Sequence, residues 1–330
     1  MIYGVLGAGS WGTAMAKLLA GKDEVYLWGR NESLVKRIQV DRENDRYLPD
    51  VELPHELRAT YDLDHVLSDV DVLVIAVPSH AFNDLMEQIH EAIDDVDGVI
   101  NLAKGFEPDS GRRLSEVYLD YEENLENYFL LTGPSHAGEV ARERPTSVVI
   151  GGGTKKGRNF FQKALYRDYF RIYTNDDLIG LEMGGALKNI IAIASGISDG
   201  LGFGVNARAA LVTRGMQELS RVTEFEGGQP KTVSGLSGLG DLIVTATSDL
   251  SRNYRTGVLL AEGCDLDEAC EEVGQVVEGI NATKLTYDRI QKGELRTPLI
   301  TQVYSVLFEN EPPEKAVRNL MTREPRTEFQ

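Results

Sequence analysis

Cysteine is scarce in this chain, since Cys264 and Cys270 are the only two among 330 residues. Two cysteines exclude a disulfide framework, and no set of histidine, cysteine and acidic residues has the spacing of metal ligands. We therefore predict no metal site. Because the first motif begins within a few residues of Met1, we also expect no signal peptide and a cytoplasmic location.

Long apolar runs and basic residues are also in short supply. No run approaches the ~18–20 apolar residues of a membrane-spanning helix, so we expect no integral membrane contact. The 34 lysines and arginines are outnumbered by 52 acidic residues, giving a net charge of -18. This balance argues against binding to nucleic acid or to an anionic membrane, because both require a basic face. The acidity mainly serves solubility, and any anionic ligand depends on locally placed Lys and Arg.

The remaining composition is typical of a globular protein, with 42% hydrophobic and 26% charged residues. A chain of 330 residues is longer than the ~250–300 residues at which single hydrophobic cores stop growing. We therefore predict two domains, residues 1–180 and 181–330, with the boundary at Gly180.

The clearest motif is the glycine-rich segment V-L-G-A-G-S-W-G-T-A-M-A near the start of the chain. An apolar run, Ile2–Leu6, leads into Gly7, Gly9 and Gly12, and a helix-forming stretch, Thr13–Leu19, follows. In a dinucleotide-binding turn the first glycine permits the tight turn, the second lets a pyrophosphate approach the backbone, and the third lets the helix pack on the strand. The motif therefore predicts a nucleotide site at a helix N-terminus.

Apolar and helical segments alternate through the first half of the chain. Helices are predicted at Glu32–Val40 and from Ser79, as N-cap, to about Ala92; strands are predicted at Ile2–Leu6, Val25–Trp28, Asp71–Val77, Gly98–Ala103, Tyr128–Thr132 and Thr146–Ile150. This alternation is typical of a parallel, doubly wound sheet, whose ligands bind beyond the carboxyl ends of the strands. Those ends carry Gly7, Pro78, Lys104 and Gly133, which should line one crevice.

The second half reads as helices: Leu187–Ile197, Ala207–Arg221, Leu266–Val273, Ala282–Gln291 and Leu299–Leu307. The predicted fold class is therefore α/β, with an N-terminal doubly wound Rossmann-like domain followed by an all-α C-terminal domain. A nucleotide domain followed by a helical domain suggests a dehydrogenase.

Cofactor choice depends on the residues after the second predicted strand. An NAD-selective site places an acidic residue about 20 positions beyond the glycines, to bind the ribose hydroxyls. Here Arg30 stands in that region instead. The cation favours NADP, or tolerance of both NADP and NAD; the alternative is that Arg30 merely points into solvent.

Seven further stretches follow in order along the chain. They are L-A-K-G-F-E (Leu102–Glu107), L-T-G-P-S-H-A-G-E (Leu131–Glu139), G-G-A-L-K-N-I-I-A-I (Gly184–Ile193), S-D-G-L-G-F-G-V-N-A-R-A-A-L (Ser198–Leu211), G-L-G-D-L (Gly238–Leu242), S-R-N (Ser251–Asn253) and V-V-E-G (Val276–Gly279). Together with G-A-G-S-W-G-T-A, the chain from Gly7 to about Gly279 resembles glycerol-3-phosphate dehydrogenase of the bacterial, NAD(P)-dependent type.

The resemblance implies hydride transfer between a nicotinamide and C2 of dihydroxyacetone phosphate or glycerol 3-phosphate, with the product supplying phospholipid synthesis. It implies that Lys188 is the general acid/base. The implied substrate contacts are Lys104, Gly133, Ser135, Lys188, Asp241, Ser251, Arg252 and Asn253. The implied dinucleotide contacts, besides Gly7, Gly9 and Gly12, are Ser10, Trp11, Arg30, Lys104, Ala137, Arg252, Val276 and Glu278.

The reaction itself also requires a cationic proton donor and a phosphate-binding group, independently of the resemblance. Reducing a ketone puts negative charge on its oxygen, so a cationic proton donor nearby stabilises the transition state. A substrate phosphate favours arginine with neutral donors, which S-R-N supplies. Taken singly, Lys188 could be a solvated helix lysine, Arg252 a surface arginine and Asp241 a turn residue.

Two other functions remain open at this point. A β-hydroxyacid dehydrogenase of related architecture would need a carboxylate clamp and leaves S-R-N unexplained. A non-catalytic dinucleotide sensor would keep the glycines but have no use for Lys104 and Lys188. Since closed twofold assemblies are the commonest oligomers, a homodimer is the default expectation.

Overall fold

A computed structural model of the protein describes residues 1–325, 327 and 328. The chain divides into two compact units, Met1–Glu182 (unit 1) and Met183–Gln330 (unit 2). Unit 1 contains the whole sheet, and unit 2 is helical in its described part. The α/β fold class with an all-α C-terminal region is thus confirmed.

Unit 1 is built on one eight-stranded sheet in the order β3-β2-β1-β4-β5-β6-β7-β8. The strands are β1 (Ile2–Leu6), β2 (Glu24–Trp28), β3 (Leu57–Thr60), β4 (Val72–Ile75), β5 (Gly98–Asn101), β6 (Tyr128–Thr132), β7 (Thr146–Gly152) and β8 (Phe170–Thr174). The order reverses direction between β1 and β4, the kind of switch point at which doubly wound sheets bind their ligands.

The helices of unit 1 are α1 (Ser10–Ala20), α2 (Glu32–Asp41), α3 (Leu63–Leu67), α4 (Phe82–Ile93), α5 (Leu114–Tyr118), α6 (Ala137–Ala141) and α7 (Lys155–Ala164). Successive strand residues point to opposite faces, so Val5 packs in one hydrophobic core and Leu6 in another. Met15 of α1 fills the first core and Met86 of α4 the second. Both faces of the sheet are therefore covered, which explains why β4 is buried along its whole length.

Two sequence predictions for unit 1 need correction, and two strands were missed. The sheet is only mostly parallel, because β7 runs antiparallel to β6. The edge strands β3 and β8 lack a continuous buried run and were not predicted. Ser79 is not an N-cap: Pro78 precedes a 3-10 turn at Ser79–Ala81, and α4 begins only at Phe82.

Unit 2 is a helical assembly that shares its first helix with unit 1. Its helices are α8 (Leu178–Gly200), α9 (Gly204–Phe225), α10 (Pro230–Val233), α11 (Asp241–Ala246), α12 (Arg252–Ala261), α13 (Leu266–Val273), α14 (Glu278–Gly293), α15 (Pro298–Phe308) and α16 (Pro313–Met321), with a π-helical turn at Leu236–Gly240.

Helix α8 is long and apolar enough, by length and composition only, to cross a membrane, although charged residues interrupt its sequence so that it contains no continuous apolar run of that length. This helix has 23 residues, and its most apolar window has a mean hydropathy of 1.3. Within that window 89% is buried inside the protein, as is common for the central helix of a folded core. In the described part of the chain, α8 is the one helix with this length and composition.

Candidate active site

The glycine-rich segment forms the tight turn between β1 and α1. Gly7 has φ +126°, and a Cβ at Gly12 would lie 1.9 Å from the Gly7 carbonyl oxygen, so both positions require glycine. A Cβ at Gly9, by contrast, would meet nothing within 4 Å. The turn therefore packs tightly against protein at Gly7 and Gly12 and leaves open space at Gly9.

The start of α1 carries donors without protein partners. The helix begins at Ser10 without a side-chain cap, and no acidic residue lies in its first turn. Among the described residues, the buried Trp11 Nε1 has no hydrogen-bond partner. Free first-turn N–H groups, the positive end of the helix dipole and the Trp11 donor suit the phosphates and polar groups of a dinucleotide. These residues fit the cofactor that the motif predicts.

Arg30 lies just after β2 and is exposed. The nearest acid in the chain, Glu32, forms an ion pair with Lys36 at 2.6 Å. A side-chain hydrogen bond and the charge of Lys36 lower the pKa of this exposed glutamate. The side chain of Arg30 forms no hydrogen bond or ion pair within the part of the chain that the structure describes. It is therefore available to an anionic group.

The ends of β5 and β6 bring together three of the predicted residues. Lys104 Nζ donates to the Gly133 carbonyl at 3.2 Å, and Ser135 Oγ donates to the same oxygen at 3.0 Å. Gly133 has φ +133°, which turns the chain sharply after β6. Ala137 begins α6, which packs against α1. The arrangement gives a cation, a hydroxyl and a helix start at the same edge of the sheet as the glycine-rich turn.

A buried asparagine that the sequence did not single out supports this edge. Asn101 ends β5, and its Nδ2 donates to the Tyr128 hydroxyl at 2.9 Å. Its Oδ1 accepts from the Ala103 N–H, also at 2.9 Å. Burial raises the pKa of Tyr128 well above its usual range, so this phenol stays neutral. The contacts fix the backbone immediately before Lys104.

In unit 2 the structure places Lys188 against Asp241. Lys188 Nζ lies 2.8 Å from Asp241 Oδ1, and both side chains are more than nine-tenths buried. Nζ also donates to Thr245 Oγ1 at 2.6 Å. The Thr245 hydroxyl donates to the Asp241 carbonyl at 2.7 Å, so its lone pairs face the ammonium. A carboxylate and an oriented hydroxyl thus hold the ammonium from one turn of α11, and Lys188 is not a solvated surface lysine.

The residue after Lys188 joins two further helix starts. Asn189 Oδ1 accepts from Asn253 Nδ2 at 2.9 Å, and Asn253 Oδ1 accepts from the Gly279 N–H at 2.9 Å. The amide of Asn253 is therefore engaged at both ends by protein, which favours a positioning role for it. The bonds link α8 to the first residues of α12 and α14.

The other predicted residues of unit 2 surround these helix starts. Ser251 is the N-cap of α12, and its Oγ accepts from the Tyr254 N–H at 3.3 Å. Arg252 is the first residue of the same helix and is exposed. Val276 is 42% exposed, and Glu278 is half-buried at the start of α14. An exposed arginine beside helix-start N–H groups is a combination that binds phosphate.

Two residues with side chains in this arrangement were missed from the sequence. Thr245 contacts Lys188 directly, and Asn189 contacts Asn253. Asn189 follows Lys188 inside a quoted motif, and Thr245 lies one helical turn after Asp241. The i, i+4 spacing of Asp241 and Thr245 is the signal that could have paired them.

Comparison with known proteins assigns both units to one family. A profile described as the N-terminus of NAD-dependent glycerol-3-phosphate dehydrogenase matches residues 3–157, and one described as its C-terminus matches residues 177–318. A glycerol-3-phosphate dehydrogenase (NAD(P)+) from Carboxydothermus hydrogenoformans is 48% identical over 327 residues, covering 98% of this chain and 97% of that one. The enzyme of that name from a Thermoanaerobacter species is 46% identical over 330 residues, covering 100% and 99%.

Solved structures give the same assignment. The crystal structure of glycerol-3-phosphate dehydrogenase from Coxiella burnetii has a TM-score of 0.92 and 40% identity, covering 98% of this chain and 99% of that one. A ketopantoate reductase from Ralstonia eutropha, at 16% identity and a TM-score of 0.62, is similar in fold alone. On these matches across both units, the chain belongs to the NAD-dependent glycerol-3-phosphate dehydrogenase family.

Proposed function

We propose that the protein interconverts dihydroxyacetone phosphate and sn-glycerol 3-phosphate, using NADH or NADPH as the reductant. The observation that carries the proposal is the ammonium of Lys188, held 2.8 Å from Asp241 and 2.6 Å from Thr245 on a buried helix. In the reductive direction, dihydroxyacetone phosphate, NAD(P)H and a proton give glycerol 3-phosphate and NAD(P)+. The product supplies phospholipid synthesis.

Lys188 donates the proton in this reaction. A reduced nicotinamide, when bound, would supply the hydride for the carbonyl carbon. Negative charge then develops on the carbonyl oxygen, and the ammonium neutralises it by giving up one proton; in oxidation the neutral amine takes that proton back. Asp241 and Thr245 fix the direction of the Nζ atom, which keeps the donor aligned without rearrangement during the reaction.

The substrate phosphate binds at the start of α12 in this proposal. Arg252 supplies the charge, and Ser251 and the first-turn N–H groups supply neutral donors. Asn253 keeps this turn in place through its bonds to Asn189 and Gly279. The remaining proposed substrate contacts are those at the sheet edge of unit 1: Lys104, Gly133 and Ser135.

The two domains have different roles in this proposal. Residues 1–180 bind the dinucleotide, and residues 181–330 bind substrate and carry the acid. The cofactor contacts are Gly7, Gly9, Ser10, Trp11, Gly12, Arg30, Lys104 and Ala137 of the first domain, with Arg252, Val276 and Glu278 of the second. Arg30, exposed and without a protein partner among the described residues, favours NADP over NAD.

We further propose a cytoplasmic homodimer without a membrane or nucleic-acid partner. The net charge of -18 argues against nucleic acid and anionic membranes as partners, and closed twofold assemblies are the commonest oligomers. Light scattering coupled to gel filtration tests the dimer: a mass close to twice 36.5 kDa is expected. A monomeric mass would contradict it.

The assay that tests the main proposal follows the absorbance of the reduced cofactor. Dihydroxyacetone phosphate should cause its rapid loss, whereas 3-oxoacids, as substrates of a β-hydroxyacid dehydrogenase, should not. Initial rates with NADPH and NADH then give the cofactor preference. Turnover of the 3-oxoacids instead would favour the alternative dehydrogenase, and binding of cofactor without any turnover would favour a sensor.

A further inference from the structure

Helices α8 and α12 of unit 2 touch at the level of their backbones. A Cβ at Gly196 would lie 2.0 Å from the Tyr254 carbonyl oxygen, and a Cβ at Gly257 would lie 2.1 Å from the Ile193 carbonyl oxygen. All three atoms closest to a Cβ at Gly257 are backbone atoms of α8, which cannot rotate away. The glycines therefore set the separation of the two helices.

Two hydrogen bonds run from adjacent residues of α12 to positions before and beyond this contact on α8, and they fix the register of the helices. Asn189 bonds to Asn253 before it, and the Tyr254 hydroxyl donates to Asp199 Oδ2 at 2.7 Å beyond it on α8. Burial, with the neighbouring Asp199 carboxylate, raises the pKa of Tyr254 to about 12, so the hydroxyl keeps the proton that it donates. Asp199 also pairs with Arg208 of α9, which holds the carboxylate in place.

The same register relates the two groups that the reaction needs. Lys188 immediately precedes Asn189 on α8, and Arg252 immediately precedes Asn253 on α12. Because Asn189 and Asn253 are joined at 2.9 Å, the proton donor lies at the level of the first turn of α12. Any change in the helix separation changes the distance from the Lys188 ammonium to that turn.

A phosphorylated ketone must span this distance. In dihydroxyacetone phosphate one methylene and one ester oxygen separate the carbonyl carbon from the phosphorus. Resting on the proposed function, we propose that the backbone contact of α8 and α12 at Gly196 and Gly257 determines which substrate length the enzyme accepts. The two glycines are positioning residues: they touch no substrate and act through Lys188 and Arg252.

The test changes the separation of α8 and α12 and compares kcat/KM for two substrates of different length. Gly257→Ala puts a methyl group against the α8 backbone, so α12 must move away by about 1 Å or more. The substrates are dihydroxyacetone phosphate and its homologue with one added methylene between carbonyl and phosphate ester. A misplacement of about 1 Å can cost about 10²-fold in rate, so kcat/KM for dihydroxyacetone phosphate should fall by about that factor. The homologue should lose less, raising its relative kcat/KM at least about tenfold.

Gly215→Ala is the matched control. Gly215 lies on α9, and the three atoms nearest to an added Cβ there are side-chain atoms of Ile191 at 2.9 to 3.0 Å, not helix backbone. This variant introduces the same methyl group into the same unit, but not between the backbones of α8 and α12. Its homologue-to-substrate ratio should equal that of the wild type, whatever its stability.

If Gly257→Ala does not fold, Tyr254→Phe tests the same proposal. It removes only the hydroxyl that bonds to Asp199, so the register loosens while the glycine contact stays. The KM for dihydroxyacetone phosphate should rise and the ratio should again shift toward the homologue. Equal losses for both substrates, in whichever variant folds, would overturn the proposal. A wild type that does not turn over dihydroxyacetone phosphate would instead overturn the proposed function and, with it, this inference.

Discussion

The two units present their functional groups in different ways. Unit 1 uses the backbone: the Gly7–Gly12 turn, the start of α1 and the carbonyl of Gly133 are all main-chain features at strand ends. Unit 2 uses side chains from separate helices, with Lys188 on α8 held by Asp241 and Thr245 on α11. Apart from Gly7 and Gly12, which must be glycine, backbone groups depend little on the side chains around them, whereas the side-chain arrangement fails when one partner is lost. Single substitutions should therefore cost more in unit 2.

Each unit contains a buried glutamate that accepts hydrogen bonds at the start of another helix of that unit. In unit 1, Glu182 accepts from the Ser115 N–H at 2.9 Å and from its hydroxyl at 2.6 Å, at the start of α5. In unit 2, Glu218 accepts from the N–H groups of Leu299 and Ile300 at 2.9 and 3.0 Å, at the start of α15. Each is a buried carboxyl that occupies the N-terminus of another helix. Burial raises the pKa of both to about 7.

Replacing Lys188 should have the largest effect. Removing a general acid typically costs about 10²–10⁴ in rate, so Lys188→Ala should lower kcat by that order. The NADPH dissociation constant, measured by fluorescence titration, should stay near that of the wild type because the α1 turn is unchanged. If the variant retained more than a tenth of wild-type turnover, Lys188 would not be the general acid, and Lys104 would become the next candidate.

The two buried carboxyls should make stability depend on pH. Their folded pKa of about 7 exceeds the ordinary value of 4.5, so the folded protein holds protons that the unfolded chain releases. The free energy of unfolding should therefore fall as pH rises from about 4.5 to 7, by on the order of 2–3 kcal/mol per group. Urea unfolding at both ends of this window measures the effect.

Glutamine variants distinguish the contributions of the two carboxyls in that experiment. Glu182→Gln can still accept from the Ser115 N–H and donate to its hydroxyl, so it should flatten the pH dependence at little cost in stability. Glu218→Gln sets an amide N–H against one of two backbone N–H groups, so it should destabilise unit 2. Identical behaviour of the two variants, or an unchanged pH slope, would refute this account of the carboxyls.

Arg252→Ala should weaken substrate binding next most strongly. A charge-assisted hydrogen bond contributes about 1.5–3 kcal/mol, so the KM for dihydroxyacetone phosphate should rise about 10- to 100-fold. Any trace activity on unphosphorylated dihydroxyacetone should hardly change. Arg255→Ala, at another exposed position of the same helix, is the control and should leave both values unaltered. If both substrates suffer alike in Arg252→Ala, the arginine does not recognise the phosphate.

Arg30→Ala should give the smallest change, because Arg30 is exposed and solvent would screen the proposed contact with the cofactor. The KM for NADPH should rise roughly tenfold while that for NADH stays nearly constant. Arg37→Ala serves as the control, since Arg37 already pairs with Asp45 at 3.2 Å. Equal shifts for NADPH and NADH would show that Arg30 does not contact the 2′-phosphate.

The central strands could be predicted from the sequence and the edges could not. β1 and β6 match their predicted bounds because continuous apolar runs mark strands buried on both faces. β3 and β8 form the edges of the sheet, where some strand residues are exposed and no such run exists. The antiparallel direction of β7 depends on how the chain returns after β6, which no local pattern encodes.

The site residues of unit 1 could be predicted from the sequence more fully than those of unit 2. The glycine turn of unit 1 is local in sequence, so its geometry follows from one motif. In unit 2, Lys188 and Thr245 are 57 positions apart, and Asn189 and Asn253 are 64 apart. Side-chain pairs at such separations depend on helix packing, and only the resemblance placed Asp241 and Asn253 in the site. The resemblance singled out neither Thr245 nor Asn189.

Chemical rescue of Lys188→Ala tests the central claim, that a side chain of unit 2 supplies the proton, most directly. The substitution leaves a cavity beside Asp241 and Thr245 that fits a small primary amine. Methylamine or ethylamine should restore turnover with saturation, at rates that follow the amine pKa, while trimethylamine, which is too bulky, should not. If a folded Lys188→Ala enzyme binds cofactor and dihydroxyacetone phosphate normally yet shows no amine-dependent turnover, Lys188 is not the proton donor.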